Sequence, residues 1–279
     1  MSGLDGAILW GLAAAVGWGG GDFCGGLAAR RASLFGVGLG VQLVSLVLSL
    51  LLVALNGPGA ISTADVVWSV VTGLVGASAL TALYRGLATG RMGVVAPVSG
   101  VLAAAIPVVV GGLLEGFPGM TRAAGLALGI VAVLVVSRTA GGGGREGLGL
   151  GVAAGLGFGF YAVAIGQLET SSVWLPLAIA RTVGVALVLL VVVAGRQPVR
   201  VPAAAAPLIV VTGLADVAGN LAFFLATQAG RLDVAGVLSA LYPVTTVILA
   251  TLVLRERVDR GHLLGIALAL GAIALIAGG

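Results

Sequence analysis
Charge is scarce in this chain. Only 9% of its 279 residues are Asp, Glu, Lys or Arg, 59% belong to the hydrophobic set, and the mean hydropathy is +1.21. A soluble domain carries roughly 25% charged residues. So little charge cannot cover a water-facing surface, which excludes an ordinary soluble domain and makes lipid the solvent for most of the chain. Lysine is missing, so all basic residues are arginines. They stand singly or in short groups between apolar runs. The net charge of +4 is therefore read as topology-setting residues at a membrane interface, with no nucleic-acid partner. The one cysteine, Cys24, makes neither an intrachain disulfide nor a metal site. The one histidine, His262, follows a charged run and reads as solvated. HExxH and GxSxG are both missing, and no nucleophile–base pair or metal-ligand set is visible. No catalytic residue, metal or cofactor is expected, and the chain does not read as an enzyme. Gly142, Gly144 and Gly147 match a dinucleotide fingerprint by letter only, because no strand precedes them.

Long apolar runs and internal repetition fill the remainder. Gly11–Gly19 (GLAAAVGWG) lines up with Gly151–Gly159 (GVAAGLGFG), 140 residues later. The same offset pairs Val71–Leu74 with Val211–Leu214, Gly90–Arg91 with Gly230–Arg231, Ser99 with Ser239 and Gly125 with Gly265. A duplicated, very apolar chain points to a transporter built from two repeats.

A membrane helix needs about 20 apolar residues. Breaks in apolarity give ten segments: 7–28, 34–55, 66–88, 93–114, 122–137, 148–168, 173–194, 205–226, 234–254 and 261–277. The first begins without a positive n-region and reads as a retained helix rather than a cleaved signal peptide. Gly141 to Gly144 is the expected linker. The repeats are then 1–140 and 147–279, and the fold class is an all-α membrane protein of ten transmembrane helices in two five-helix repeats. Five is odd, so the second repeat enters from the opposite side and the repeats are inverted. The arginines agree. With the N-terminus on side A, side B collects Arg30, Arg31, Arg85, Arg91, Arg138, Arg145, Arg196, Arg200, Arg255, Arg257 and Arg260. Side A has Arg122 and Arg231. The positive-inside rule makes side B cytoplasmic and puts the termini outside.

Several residues resemble a known family. Each half opens on an aromatic–glycine pair, Trp18–Gly19 and Phe158–Gly159. Near the end, Tyr242–Pro243 is followed by Glu256, Gly265 and Gly271. The first half keeps Glu115 and Gly125 but has Leu102 where a proline would match, with Pro97 and Pro107 instead. With its two five-helix halves, the chain resembles the EamA-type transporters of the drug/metabolite transporter superfamily over its whole length. The resemblance implies a multi-pass permease of the inner (plasma) membrane, often an exporter of amino acids or other small metabolites. It implies a central cavity lined by segments 1, 3, 4, 6, 8 and 9, with both termini cytoplasmic, opposite to the arginine count.

Intramembrane charges mark candidate sites, since each costs about 2.5–3.5 kcal/mol on insertion scales. Asp22 and Asp216 lie within segments 1 and 8, where their repeat counterparts are Ala162 and Gly76. Either binds substrate or carries a proton, or is a structural carboxylate. Trp18 shares a helix face with Asp22, and Asn220 and Phe224 share one with Asp216. Ser99, Tyr161, Ser239 and Tyr242 complete the expected substrate site, where aromatic rings beside carboxylates suit an amine-bearing, partly apolar solute. Arg181 pairs with an aspartate or a substrate carboxylate, or snorkels; snorkelling is the preferred expectation, and also that for Arg85. Gly17, Gly21 and Gly25 form a small-residue face for close helix approach. Pro97, Pro107 and Pro243 are expected to kink segments 4 and 9. The function expected is a secondary active exporter of small metabolites working by alternating access. Its partners are a small-molecule solute, the bilayer and coupling protons, as a monomer or homodimer. The alternatives are an intramembrane lipid-modifying enzyme and a non-transporting structural protein.

Overall fold
The computed structural model describes residues 3–89, 92–115, 119–139, 144–170, 172–228, 239, 241–255 and 260–278. The expected linker Gly141–Gly143, the start of segment 9, and Arg91, Arg231, Glu256 and Arg257 lie outside these residues. The described residues form ten α-helices and one 3-10 turn. They are α1 (Gly3–Ala29), α2 (Leu34–Asn56), α3 (Thr63–Thr89), α4 (Met92–Glu115), α5 (Met120–Thr139), α6 (Gly144–Ile165), α7 (Trp174–Gly195), α8 (Ala206–Gln228), α9 (Tyr242–Leu254) and α10 (Arg260–Gly278). No strand occurs among the described residues. Among them, five spans are long and apolar enough to cross a membrane: Leu34–Asn56, Thr63–Thr89, Gly147–Ile165, Trp174–Ala194 and Ala203–Ala226. Helices suit that solvent because each satisfies its own backbone hydrogen bonds.

Local chemistry sets the helix ends. The Ser33 hydroxyl caps α2 by accepting from Gly36 N at 3.3 Å. The helix stops at Gly57, whose φ of +81° favours glycine. α3 starts on a reciprocal cap: Asp65 N donates to Ser62 Oγ at 3.1 Å, and Ser62 N donates to Asp65 Oδ2 at 2.9 Å. Pro243 stands in the first turn of the described α9, where a missing N–H leaves no bond unmade; residues 234–238 and 240 of segment 9, on which the expected kink also bears, lie outside the described residues.

The two halves interlock. α1 packs along α8, and the counterpart pair α6 and α3 packs the same way; α2 meets α7, and α5 meets α10. The agreement extends to single residues. Gly17 abuts Gly219, and its counterpart Gly157 abuts Ala79, the counterpart of Gly219. Gly73 packs on Ala180 and Val183 of α7, while Gly213 packs on Val41 and Val44 of α2. Gly17 and Gly21 lie against Ala215 of α8, so the small-residue face does bring two helices close. The largest fully buried side chains include Tyr84, Leu83 and Leu87 of α3. Large aliphatics such as Val47, Leu55, Leu190 and Val193 point outward, as a lipid-facing surface requires.

Turns from opposite halves are bonded at both ends of the bundle. On side A, Glu169 N donates to Asp65 Oδ1 at 2.8 Å, and Thr170 Oγ1 donates to the Ala60 carbonyl at 2.8 Å. On side B, Ser33 N donates to the Arg200 carbonyl at 3.0 Å.

Candidate functional site
Asp216 is the centre of a buried polar network reaching four helices. Its Oδ1 accepts from Arg181 Nη2 of α7 at 2.9 Å, and its Oδ2 accepts from Ser45 Oγ of α2 at 2.9 Å. Asn220, one turn on, donates from Nδ2 to the Asp216 carbonyl at 2.7 Å and to Oδ1 at 3.3 Å. The Tyr161 hydroxyl of α6 donates to Asn220 Oδ1 at 2.8 Å. At the other end, Arg181 Nη1 donates to Gln42 Oε1 of α2 at 3.1 Å.

The arginine corrects an expectation. Arg181 does not snorkel: it is only 5% exposed and turned onto Asp216. A buried guanidinium needs a counter-charge more than it needs a distant interface, and the carboxylate on α8 supplies one with good geometry. Satisfaction is incomplete. Arg181 Nε, Gln42 Nε2 and Thr72 Oγ1 are buried without a hydrogen-bond partner.

Asp22 stands in a different environment. It is 8% exposed, and among the described residues its carboxylate makes no hydrogen bond or ion pair. Asp216, Tyr84 and Tyr242 lie within electrostatic range of it. The neighbouring backbone is occupied: the Gly21 carbonyl accepts from Thr212 Oγ1 at 3.3 Å, and the Gly19 carbonyl from Thr246 Oγ1 at 3.0 Å. The Asp22 carboxylate is thus left open on a helix clamped between α8 and α9.

The remaining expected residues form smaller groups. Ser99 of α4 and Tyr242 of α9 are both buried, with hydroxyls 3.0 Å apart. Phe158 sits edge-on to Tyr242 at 6.5 Å between centroids. Trp18 leans on Phe223 at 5.5 Å, and its indole passes over Gly219, where a Cβ would come within 2.5 Å of the ring. Phe224 is half-buried, and Ser239 is buried. The structure therefore joins Asp216, Asn220 and Tyr161 in one chain of bonds and Ser99 with Tyr242 in another, with Asp22 bonded to neither. Gln42, Ser45 and Tyr84 were not anticipated. Gln42 and Ser45 lie three residues apart in an otherwise aliphatic run, and that polar spacing on one helix face was the available signal.

Among the described residues, no group of three His, Cys, Asp or Glu side chains could hold a metal ion. A cavity of about 330 Å³ lies away from this network, at the side B end, between the α1–α2 turn, the end of α3 and the α7–α8 loop.

The arrangement is that of a helical membrane protein with ionisable groups held inside, and comparison with known proteins agrees. The model of the EamA-like transporter family matches residues 145–278. That match is consistent with an EamA-type transporter of the drug/metabolite transporter superfamily, as the aromatic–glycine and proline–glutamate–glycine residues implied. With the apolar helices it indicates a multi-pass integral membrane protein. No curated protein matches the chain. A solved structure described as "Crystal structure of protein" is similar at 16% identity, with a TM-score of 0.66, over 97% of this chain and 96% of that one. The likeness is one of fold.

Proposed function
We propose that the chain is a secondary active exporter of small metabolites such as amino acids, working by alternating access in the plasma (inner) membrane and coupled to protons. Its ten spans form two inverted repeats, 1–140 and 147–279. Support for the inversion comes from contacts that recur with the halves exchanged, Gly17 on Gly219 and Gly157 on Ala79. Two repeats related in this way can rock against each other about a site near the bilayer middle.

One observation carries the site: two aspartates inside the helix bundle, Asp22 buried and Asp216 partly buried, of which one has a counter-charge and one does not. Arg181 balances Asp216. Asp22 has no such partner among the described residues, and an isolated buried carboxylate is costly unless it takes up a cation. Asp22 is therefore the residue at which a proton or a substrate amine binds. Trp18, Tyr242, Ser99 and Ser239 shape its surroundings, with Asp216, Asn220, Phe224 and Tyr161 as the opposite wall. Asp216, held on both oxygens, positions that wall.

Transport into proteoliposomes under an imposed pH gradient tests this. Asp22→Asn is expected to fold and to lose gradient-driven transport by at least about tenfold, the size of effect one missing charge–charge contact of 1.4 kcal/mol would give. Asp216→Asn is expected to reduce transport while keeping its dependence on the gradient. Unchanged gradient dependence in Asp22→Asn would remove Asp22 from the mechanism.

A further inference from the structure
Tyr84 of α3 is a buried phenol that the central network leaves out. It is 2% exposed, and its ring and hydroxyl lie against Gly25 of α1: a Cβ on that glycine would stand 2.7 Å from the hydroxyl oxygen. Gly25 follows Asp22 by three residues, so the two positions are neighbours on one face of α1, with Cβ positions about 5–6 Å apart. The hydroxyl therefore stands beside the face that carries the Asp22 carboxylate. Asp22, Asp216 and Arg181 all lie within electrostatic range of it.

Other polar groups near Asp22 are already committed. Asp216 is held on both oxygens by Arg181 and Ser45. Asn220 Oδ1 accepts from Tyr161, and the Tyr242 hydroxyl is paired with Ser99. The Gly19 and Gly21 carbonyls accept from Thr246 and Thr212. Of the three tyrosines, Tyr84 differs: its hydroxyl makes no hydrogen bond among the described residues. A buried hydroxyl without a partner is unfavourable, and so is a buried carboxylate without a cation. One ligand between them relieves both. The sequence pairs them as well. At the 140-residue offset Asp22 and Tyr84 correspond to Ala162 and Phe224. Carboxylate and hydroxyl are present together in one half and missing together from the other, where the ring is kept without its oxygen.

We infer that Tyr84 is the second contact for a substrate amine at Asp22: the carboxylate accepts one N–H of the ammonium, and the phenolic oxygen accepts another. The inference rests on the reading of Asp22 as an amine site. It sets the substrate class as cations with at least two N–H groups, primary and secondary amines, in preference to tertiary and quaternary ones. A carboxylate alone sorts cations by charge, which N-methylation leaves unchanged. A second acceptor sorts them by the number of N–H groups, because each group buried without a partner is penalised.

The test is calorimetric titration of the purified full chain in detergent with phenethylamine and its N-methyl, N,N-dimethyl and N,N,N-trimethyl derivatives, all cations at neutral pH. Affinity is expected to fall about tenfold between the N-methyl and N,N-dimethyl compounds, where the second N–H is lost. That step is read on the unmodified protein and needs no variant. Tyr84→Phe keeps the ring in its seat. It is expected to weaken the first two compounds about tenfold and to erase the step, with the N,N-dimethyl compound unchanged; a ring that acts only by packing would move all four alike. Equal binding of all four to the unmodified protein, or a step that survives in Tyr84→Phe, would overturn the pair. If Asp22→Asn abolishes binding in either case, Asp22 stands as the amine site and Tyr84 alone is withdrawn. If no compound binds, or Asp22→Asn leaves binding intact, the amine reading of Asp22 falls and takes the pair with it.

Discussion

Asp22 and Asp216 look alike as letters, and one arginine separates them. Removing that arginine should be severe. Arg181→Met leaves the partly buried Asp216 without its counter-ion, a class of change that costs up to about 3–5 kcal/mol when the pair is fully buried. The double variant with Asp216→Asn should recover much of that loss, because the stranded charge is gone. Thermal unfolding of the purified single and double variants checks the coupling; equal destabilisation of both would show that Arg181 acts only by packing. Asp22→Asn should leave the melting temperature nearly unchanged, since it breaks no bond. Both aspartates were legible in the sequence because an ionisable residue in an apolar run stands out. Their unequal bonding was not, because the distinction lies in Arg181 of α7 and Ser45 of α2, 35 and 171 residues from Asp216. Snorkelling was the wrong expectation for Arg181 for the same reason. Sequence position gives the distance to the interface but not the distance to a carboxylate on another helix.

At the scale of elements, seams between helices depend on glycine. The Trp18 indole fills the space beside Gly219, so Gly219→Ala forces one of them to move. Overpacking of this kind costs about 1–3 kcal/mol. Trp18→Ala in the same chain should relieve it, which a double-mutant cycle in thermal unfolding would show as non-additivity. The Asp65 cap offers a second check on side A. Asp65→Ala removes the acceptor for Ser62 N, one half of the α3 cap, and the acceptor for Glu169 N, and should lower stability by about 1–2 kcal/mol. The helices themselves were easy to read: apolar runs bounded by Gly, Pro and Arg predicted 34–55 where α2 runs Leu34–Asn56, and 173–194 where α7 runs Trp174–Gly195. For segment 9 the described helix runs Tyr242–Leu254, and most of its expected start lies outside the described residues.

For the whole molecule, the question is which way it faces. Arginines gather on side B, and positively charged ends are retained in the cytoplasm. A phosphatase fused after Gly279 should therefore be active outside the cell, and a fluorescent protein fused there should be dark. The opposite pair of results would favour the orientation implied by the family resemblance. The proposed duplication rests on the 140-residue offset, which is legible in the sequence. How the halves embrace is not, since an offset records ancestry and carries no information about which helix lies beside which.

That embrace bears on how the chain is made. α1 rests mainly on α8, and α3 on α6 and α7, so the partners of the first helices are synthesised last. Asp22 leaves the ribosome long before α8 and α9 exist to shield it. The early helices must wait in the membrane, exposed to lipid and to quality control, until the second half of the chain arrives. The fragment 1–140 expressed alone should be degraded. Supplied together with 147–279 from a second message, it should persist, because what the first half lacks is a companion and not a signal of its own.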